Sequence, residues 1–119
     1  MTGTEPTRLR PSRLPSLVEC EGWLGWRVDD INGSMMGRME KVLTDEGGDP
    51  AWIIVSEFQP GEGRRFAIPV ADAVGGGGRV WSPHPRQQIW MSARIADSLI
   101  SPQVHHRLRA HYASERRAA

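Results

Sequence analysis

Trp23-Leu24-Gly25-Trp26-Arg27-Val28, then Asp29-Asp30-Ile31-Asn32-Gly33, then Met35 to Thr44: this run decides how the chain is read. Its first part is apolar and aromatic, which suits a short strand. The Asn-Gly pair tolerates the positive φ that tight turns need, so a turn follows. Met35 to Thr44 then reads as a second strand. Simple alternation places Gly37, Met39 and Leu43 on one face, but it places Lys41 there too. A bulge near Glu40 and Lys41 removes the conflict by turning Val42 inward instead. The breaker-rich stretch Asp45-Glu46-Gly47-Gly48-Asp49-Pro50 closes the strand with a turn.

Working outward, Ala51-Trp52-Ile53-Ile54-Val55-Ser56-Glu57-Phe58 is the clearest strand, β-branched and aromatic between turn signals. Its unbroken apolar run predicts a central strand buried on both faces at one end. After a loop over Gln59 to Gly63, Arg65 to Val70 is the fourth strand, with Phe66, Ile68 and Val70 on one face. Pro69 has no amide hydrogen for a ladder, so that end belongs at an edge or a bulge. Gly75 to Gly78 reads as a flexible turn, and Arg79 to Ser82 as a fifth strand. Short, closely spaced strands in so small a chain predict an all-β fold, a small barrel of about five to six strands. Short helices follow. Pro85 to Met91 is one, carrying Ile89 and Trp90. A sharper start comes at Ser101, an N-cap, and Pro102, a first helical residue. Beyond it Val104, Leu108 and Tyr112 recur at helical spacing on one face, a stripe to dock on the barrel or on a partner.

The chain has 119 residues, of which 39% are apolar. That suits one domain with tails outside the core. Residues 1–21 read as a flexible lead-in with Pro6, Pro11 and Pro15, residues 22–95 as the barrel, and residues 96–119 as a helical tail with a basic end. No apolar run approaches the ~20 residues of a membrane span. The start shows no basic-then-apolar export signal, so a bacterial-type cytoplasm is the expected location. A single cysteine, Cys20, excludes an internal disulfide. Fifteen basic and 14 acidic residues leave a net charge of +1. This balance argues against a dedicated DNA-binding domain. The basic residues gather at the ends, with Arg8, Arg10 and Arg13 at one and Arg107, Arg109, Arg116 and Arg117 at the other.

The stretch Leu24 to Asp45 resembles the opening of a PRC-barrel domain. Gly25, Val28, Asp29 and Gly33 sit where that family shows its first glycine, valine, acidic residue and turn glycine. Gly37 and Arg38 match its apolar-glycine-basic-apolar unit, and Asp45 matches the acid that ends the strand. Trp52 to Val55, then Phe66-Ala67-Ile68-Pro69-Val70, resemble the strands that follow, and Arg79 to Ile95 the next strand and short helix. His105 to Tyr112 is similar to a helix found after the barrel in some members. Met39, where the family prefers a β-branched residue, and the glycine run at 75–78 depart from the pattern. The resemblance implies the barrel fold and contact with a larger assembly rather than shared catalysis. Relatives of this kind include the cytoplasmic part of the photosynthetic reaction-centre H subunit and the C-terminal part of a ribosome-maturation factor.

No chemistry-bearing constellation assembles in the sequence, so no enzyme, small-molecule substrate, cofactor or metal is expected. Gly75 to Gly78 lacks the Gly-Lys-Ser/Thr of a phosphate loop. Asp29, Asp30 and Asn32 miss the calcium-loop register. His84, His105, His106 and His111 lack the paired helical spacing of metal ligands. Cys20 and the serines have no nucleophile setting. Glu40, Glu57 and Asp72 are surface carboxylates without a placed cleft. The five tryptophans say more. Trp52 is assigned to the core, while Trp23, Trp26, Trp81 and Trp90 exceed what a small barrel buries comfortably. Tryptophan and arginine are enriched at binding hot spots. The expected function is therefore a non-enzymatic interaction or assembly module that meets another protein or itself. Its partner-binding candidates are Trp81, Arg86 and Trp90, with Leu108 and Tyr112 on the tail helix. A ribosome- or RNA-associated factor is the alternative, motivated by the basic ends. An accessory to a photosynthetic or electron-transfer membrane complex is the second alternative.

Overall fold

A computed structural model describes residues 13–57, 64–92 and 102–118. The first twelve residues, the loop expected at Gln59 to Gly63 and the Ser101 cap lie outside the described residues. In chain order the elements are α1 (Leu17–Glu21), β1 (Arg27–Asp29), β2 (Met35–Thr44), β3 (Pro50–Ser56), β4 (Arg65–Pro69), β5 (Val74–Gly76), β6 (Arg79–Trp81), α2 (Arg86–Met91) and α3 (Pro102–Ala118). The strands form one six-stranded sheet in the order β4-β3-β2-β1-β6-β5. β1 and β6 run parallel and every other neighbouring pair is antiparallel. The fold is thus sheet-rich and mixed, with helices at its margins.

The edge strands β4 and β5 are consecutive in the chain, joined by Val70 to Ala73. Six flat strands would set the two edges about 24 Å apart. Five Cα–Cα steps reach at most about 19 Å. So short a tether makes the sheet curl. The curl wraps an inner core of Val28, Met39, Ile53, Val55, Phe66, Ile68, Val80 and Ile89, all buried.

The bulge predicted in β2 is present. The pairing runs Met39↔Val55 and then Lys41↔Ile54, so Glu40 is the extra residue. Lys41 is exposed, and Val42 packs on the inner core. β3 is buried on both faces, as its composition predicts: Ile53 and Val55 face the inner core, Trp52 and Ile54 a second cluster outside the sheet. Pro69 ends β4, an edge strand. Its missing donor costs the ladder nothing there.

Three elements differ from expectation. Residues 17–21, expected to be part of an unpatterned lead-in, form α1. Ser16 caps it, its Oγ accepting from the Glu19 amide, and Cys20 is fully buried beneath. Only one residue of this turn goes into the core, too little for a sequence periodicity to show. Trp23 to Trp26 is a turn rather than strand. Trp23 N–H donates to the Cys20 carbonyl and Trp26 N–H to that of Trp23, while Gly25 takes a φ of 82°. The glycine run is only half a turn. Gly75 and Gly76 belong to β5, and Gly77 and Gly78, with φ of 61° and 82°, make the two-residue connection to β6. Gly75 is required by close approach, because a Cβ there would run into the Trp23 indole.

Candidate interaction surface

The outer face of the sheet is divided. Over β3 and β4 it is apolar, with Trp52, Ile54 and Ala67 covered by Leu108 and Tyr112 of α3. The predicted stripe therefore docks on the chain's own sheet, and Leu108 (0% exposed) and Tyr112 (4%) are spent there rather than offered to a partner. Tyr112 does more than fill space. Its hydroxyl donates to the Ala67 carbonyl at 2.6 Å. On the same residue the Ala67 amide donates to Ser92 Oγ at 3.2 Å. Ala67 lies in an edge strand, so its outward N–H and C=O would otherwise invite another strand. Burial holds the Tyr112 phenol protonated well above its ordinary range, which keeps it a donor.

Polar contacts join α2 to α3. Gln88 Nε2 donates to the Tyr112 carbonyl, and its Oε1 accepts from His84 Nδ1. His111 Nε2 donates to the Gln88 carbonyl at 2.8 Å. The His84 and His111 rings pack on Tyr112, with centroids 4.7 and 5.0 Å away. Further along α3, the Trp52 indole N–H donates to His105 Nδ1 at 2.6 Å. Burial, then Arg109, lowers the His105 pKa, and Asp45 and Glu46 oppose them. Three of the four histidines thus pin helices to the sheet or to each other, and His106 is exposed. Among the described residues no three His, Cys, Asp or Glu gather to hold a metal.

The paired aspartates after β1 organise the chain's own backbone. Asp30 is buried. Its Oδ1 accepts from the Asn32 and Ser34 amides, and its Oδ2 accepts from the Arg86 amide at the start of α2. One side chain thus holds both the β1–β2 turn and the first turn of α2. Asp29 is fully buried on the outer side of β1, with Arg27 Nε 2.6 Å from Oδ1 and Arg79 Nε 3.3 Å from Oδ2. Nothing in the local sequence marks Asp29 as buried; its role follows from the β1–β6 pairing. The carboxylates Glu40 and Asp72 serve separate elements. Glu40 accepts from Ser56 Oγ and Arg65 Nε, and the Ser56 bond, followed by Arg65, keeps its pKa low. Asp72 Oδ1 accepts from the Arg13 amide.

The remaining predicted site residues stay at the surface. Gln88 and Ile89 anchor α2 in the interior, which turns Trp90 (37% exposed) and Met91 (42%) outward. The Arg86 guanidinium lies 5.3 Å from the Trp90 ring centroid and that of Arg64 4.8 Å, so one exposed indole carries two cations. Arg64 was not among the sequence candidates. Only the packing of β4 beside α2 reveals it. Trp81 (39% exposed) ends β6, with Arg79 5.8 Å from its ring centroid. Trp23 is buried and Trp26 half-buried against the inner core. No helix among the described residues is long and apolar enough to cross a membrane. In comparisons with known proteins, no family model matches the sequence, and no curated protein matches it significantly.

Proposed function

We propose that this chain is a non-enzymatic interaction module of the PRC-barrel type, acting in the cytoplasm and docking on another protein or on a second copy of itself. The observation that carries the reading is Trp90. An indole more than one-third exposed, bracketed by Arg64 and Arg86 and held on a helix whose other face is buried, is a preorganised anchor. Such a residue gives up little freedom on binding and has a large apolar face to bury. Trp81 with Arg79 offers a second anchor of the same composition. The barrel part of the reading rests on the four-residue tether between the edge strands and on the order of turns and strands that resembles the family.

The test is a Trp90→Ala variant. Truncating a hot-spot tryptophan costs about 2 kcal/mol of binding, roughly thirty-fold in affinity. Capture of partners from the native cell, together with sedimentation of the pure protein, should show loss of the complex or of a dimer while the melting temperature holds. An unchanged partner set and unchanged sedimentation would reject Trp90 as the anchor.

A further inference from the structure

The register of the sheet aligns four arginines in one row. Arg65 of β4 pairs with Ser56 of β3, Ser56 with Arg38 of β2, Arg38 with Arg27 of β1, and Arg27 with Arg79 of β6. Directly paired residues project to the same face of a sheet. The inward neighbours Phe66, Val55, Gly37, Val28 and Val80 are all buried, so the row lies on the outer face. It crosses five strands, about 19 Å. Side-chain exposures of 36% for Arg27, 43% for Arg79 and 55% for Arg65 leave these guanidiniums open to solvent, and Arg38 is exposed as well. Trp81 is one step past Arg79 on the same face of β6, beside Asp29.

Three arginines on three adjacent strands repel one another, a cost that folding alone does not recover. Two carboxylates offset part of it. Asp29 lies between Arg27 and Arg79, and Glu40 holds Arg65. The row keeps its linear form, with Arg38 exposed between the two carboxylates.

We infer that this row, with Trp81 at its end, is a binding surface for single-stranded nucleic acid. Cations aligned across a sheet, three on adjacent strands and Arg65 one strand beyond Ser56, suit the repeated phosphates of a single strand. An exposed indole beside them gives a base a face to stack on. Scattered carboxylates on an acidic protein, or a flat anionic membrane, would need neither the line nor the terminal aromatic. The inference shares Trp81 with the docking surface above but stands whether or not Trp90 anchors a protein.

The experiment is fluorescence anisotropy with the full chain and an oligouridylate of about a dozen nucleotides, within the span that one small sheet covers, titrated across salt. Each single-strand phosphate neutralised contributes about −0.7 to the log–log salt slope. The intact row should give a slope of roughly −2 to −3, and Arg38→Gln with Arg65→Gln should make it shallower by about 1.4. Trp81→Ala should weaken binding about ten-fold. Arg27 and Arg79 stay in place, because removing either strips a buried carboxylate of its counter-charge. Arg8→Gln with Arg10→Gln tests the lead-in and should leave the slope within one phosphate equivalent. If the Arg38/Arg65 variant loses its melting transition, ultraviolet cross-linking of the wild-type chain replaces it. Cross-links on the β1 or β6 peptides support the row, and cross-links confined to the termini overturn it. No binding at low salt overturns the inference. So does a slope indifferent to Arg38 and Arg65, or equal or tighter binding of polyglutamate or phosphatidylserine vesicles.

Discussion

Replacing Tyr112 with phenylalanine isolates one hydrogen bond at the place where α3 meets the sheet. The phenyl ring keeps the volume and the packing against Trp52, His84 and His111. Only the hydroxyl that donates to the Ala67 carbonyl is lost. Ala67 is fully buried, and among the described residues its edge-facing carbonyl has no strand to turn to. A buried acceptor left unpaired costs about 1–3 kcal/mol. For a chain of this size each kcal/mol moves the melting temperature by about 4 °C, so the variant should melt roughly 4–12 °C lower. Thermal unfolding by circular dichroism, with reversibility checked, reads this directly. Leu108→Ala, which empties a fully buried site on the same helix, calibrates the scale at about 2–5 kcal/mol. A melting temperature for Tyr112→Phe within about 1 °C of wild type would mean that water satisfies Ala67. The account of α3 as a seal on the β4 edge would then be wrong.

Three further outcomes follow from other contacts. Trp52 needs an unprotonated Nδ1 on His105, and the folded-state pKa of His105 lies below its ordinary 6.5. The stabilisation, about 1 kcal/mol for one such bond, is therefore full above 6.5 and is lost as pH falls through the lowered folded-state value. Melts of wild type and His105→Ala should converge on acidification, and divergence would refute the bond. Gly75→Ala drives a methyl into the Trp23 indole and should cost about 1–3 kcal/mol, whereas Gly76→Ala, with open space around it, should melt within about 2 °C of wild type; equal effects of the two would dismiss the contact. Burial, helped by Glu19 and Glu21, pushes the Cys20 thiol up to about 11. An alkylating thiol reagent at pH 8 should then label the folded protein far more slowly than the urea-unfolded chain, and matched rates would contradict α1 packing.

Legibility in the sequence tracked how local each signal was. β3 announced itself because Ala51 to Val55 is continuously apolar between turn signals, and both its faces are covered as that composition requires. The β2 bulge was readable because a lysine stood where alternation wanted a core residue. Leu108 and Tyr112 were legible as a stripe, but a stripe does not say whether its groove lies in the same chain. β5 was hidden, since Val74-Gly75-Gly76 has no strand propensity of its own. It exists because β6 pairs with it and Trp23 covers Gly75. The arginine row was less visible still. Its members are far apart in the chain, and only four successive registers make them neighbours.

The bulge at Glu40 links the fold to that row. Without it, strict alternation from Arg38 would bury Lys41 and turn Val42 outward, an inversion no core of this size absorbs. With it, Met39 and Val42 face the inner core, and Leu43 joins Trp52 under α3. The extra residue also places the Glu40 carboxylate where Ser56 Oγ and Arg65 Nε reach it. Glu40 therefore holds the β4 end of the row much as Asp29 holds its β1–β6 end. The outer face needs both carboxylates. Four guanidiniums in one row without them would repel one another across the sheet. Asp29 and Glu40 thus offset part of the repulsion in the row, while its arginine side chains stay accessible at the polar half of the sheet, where a polyanion can reach them.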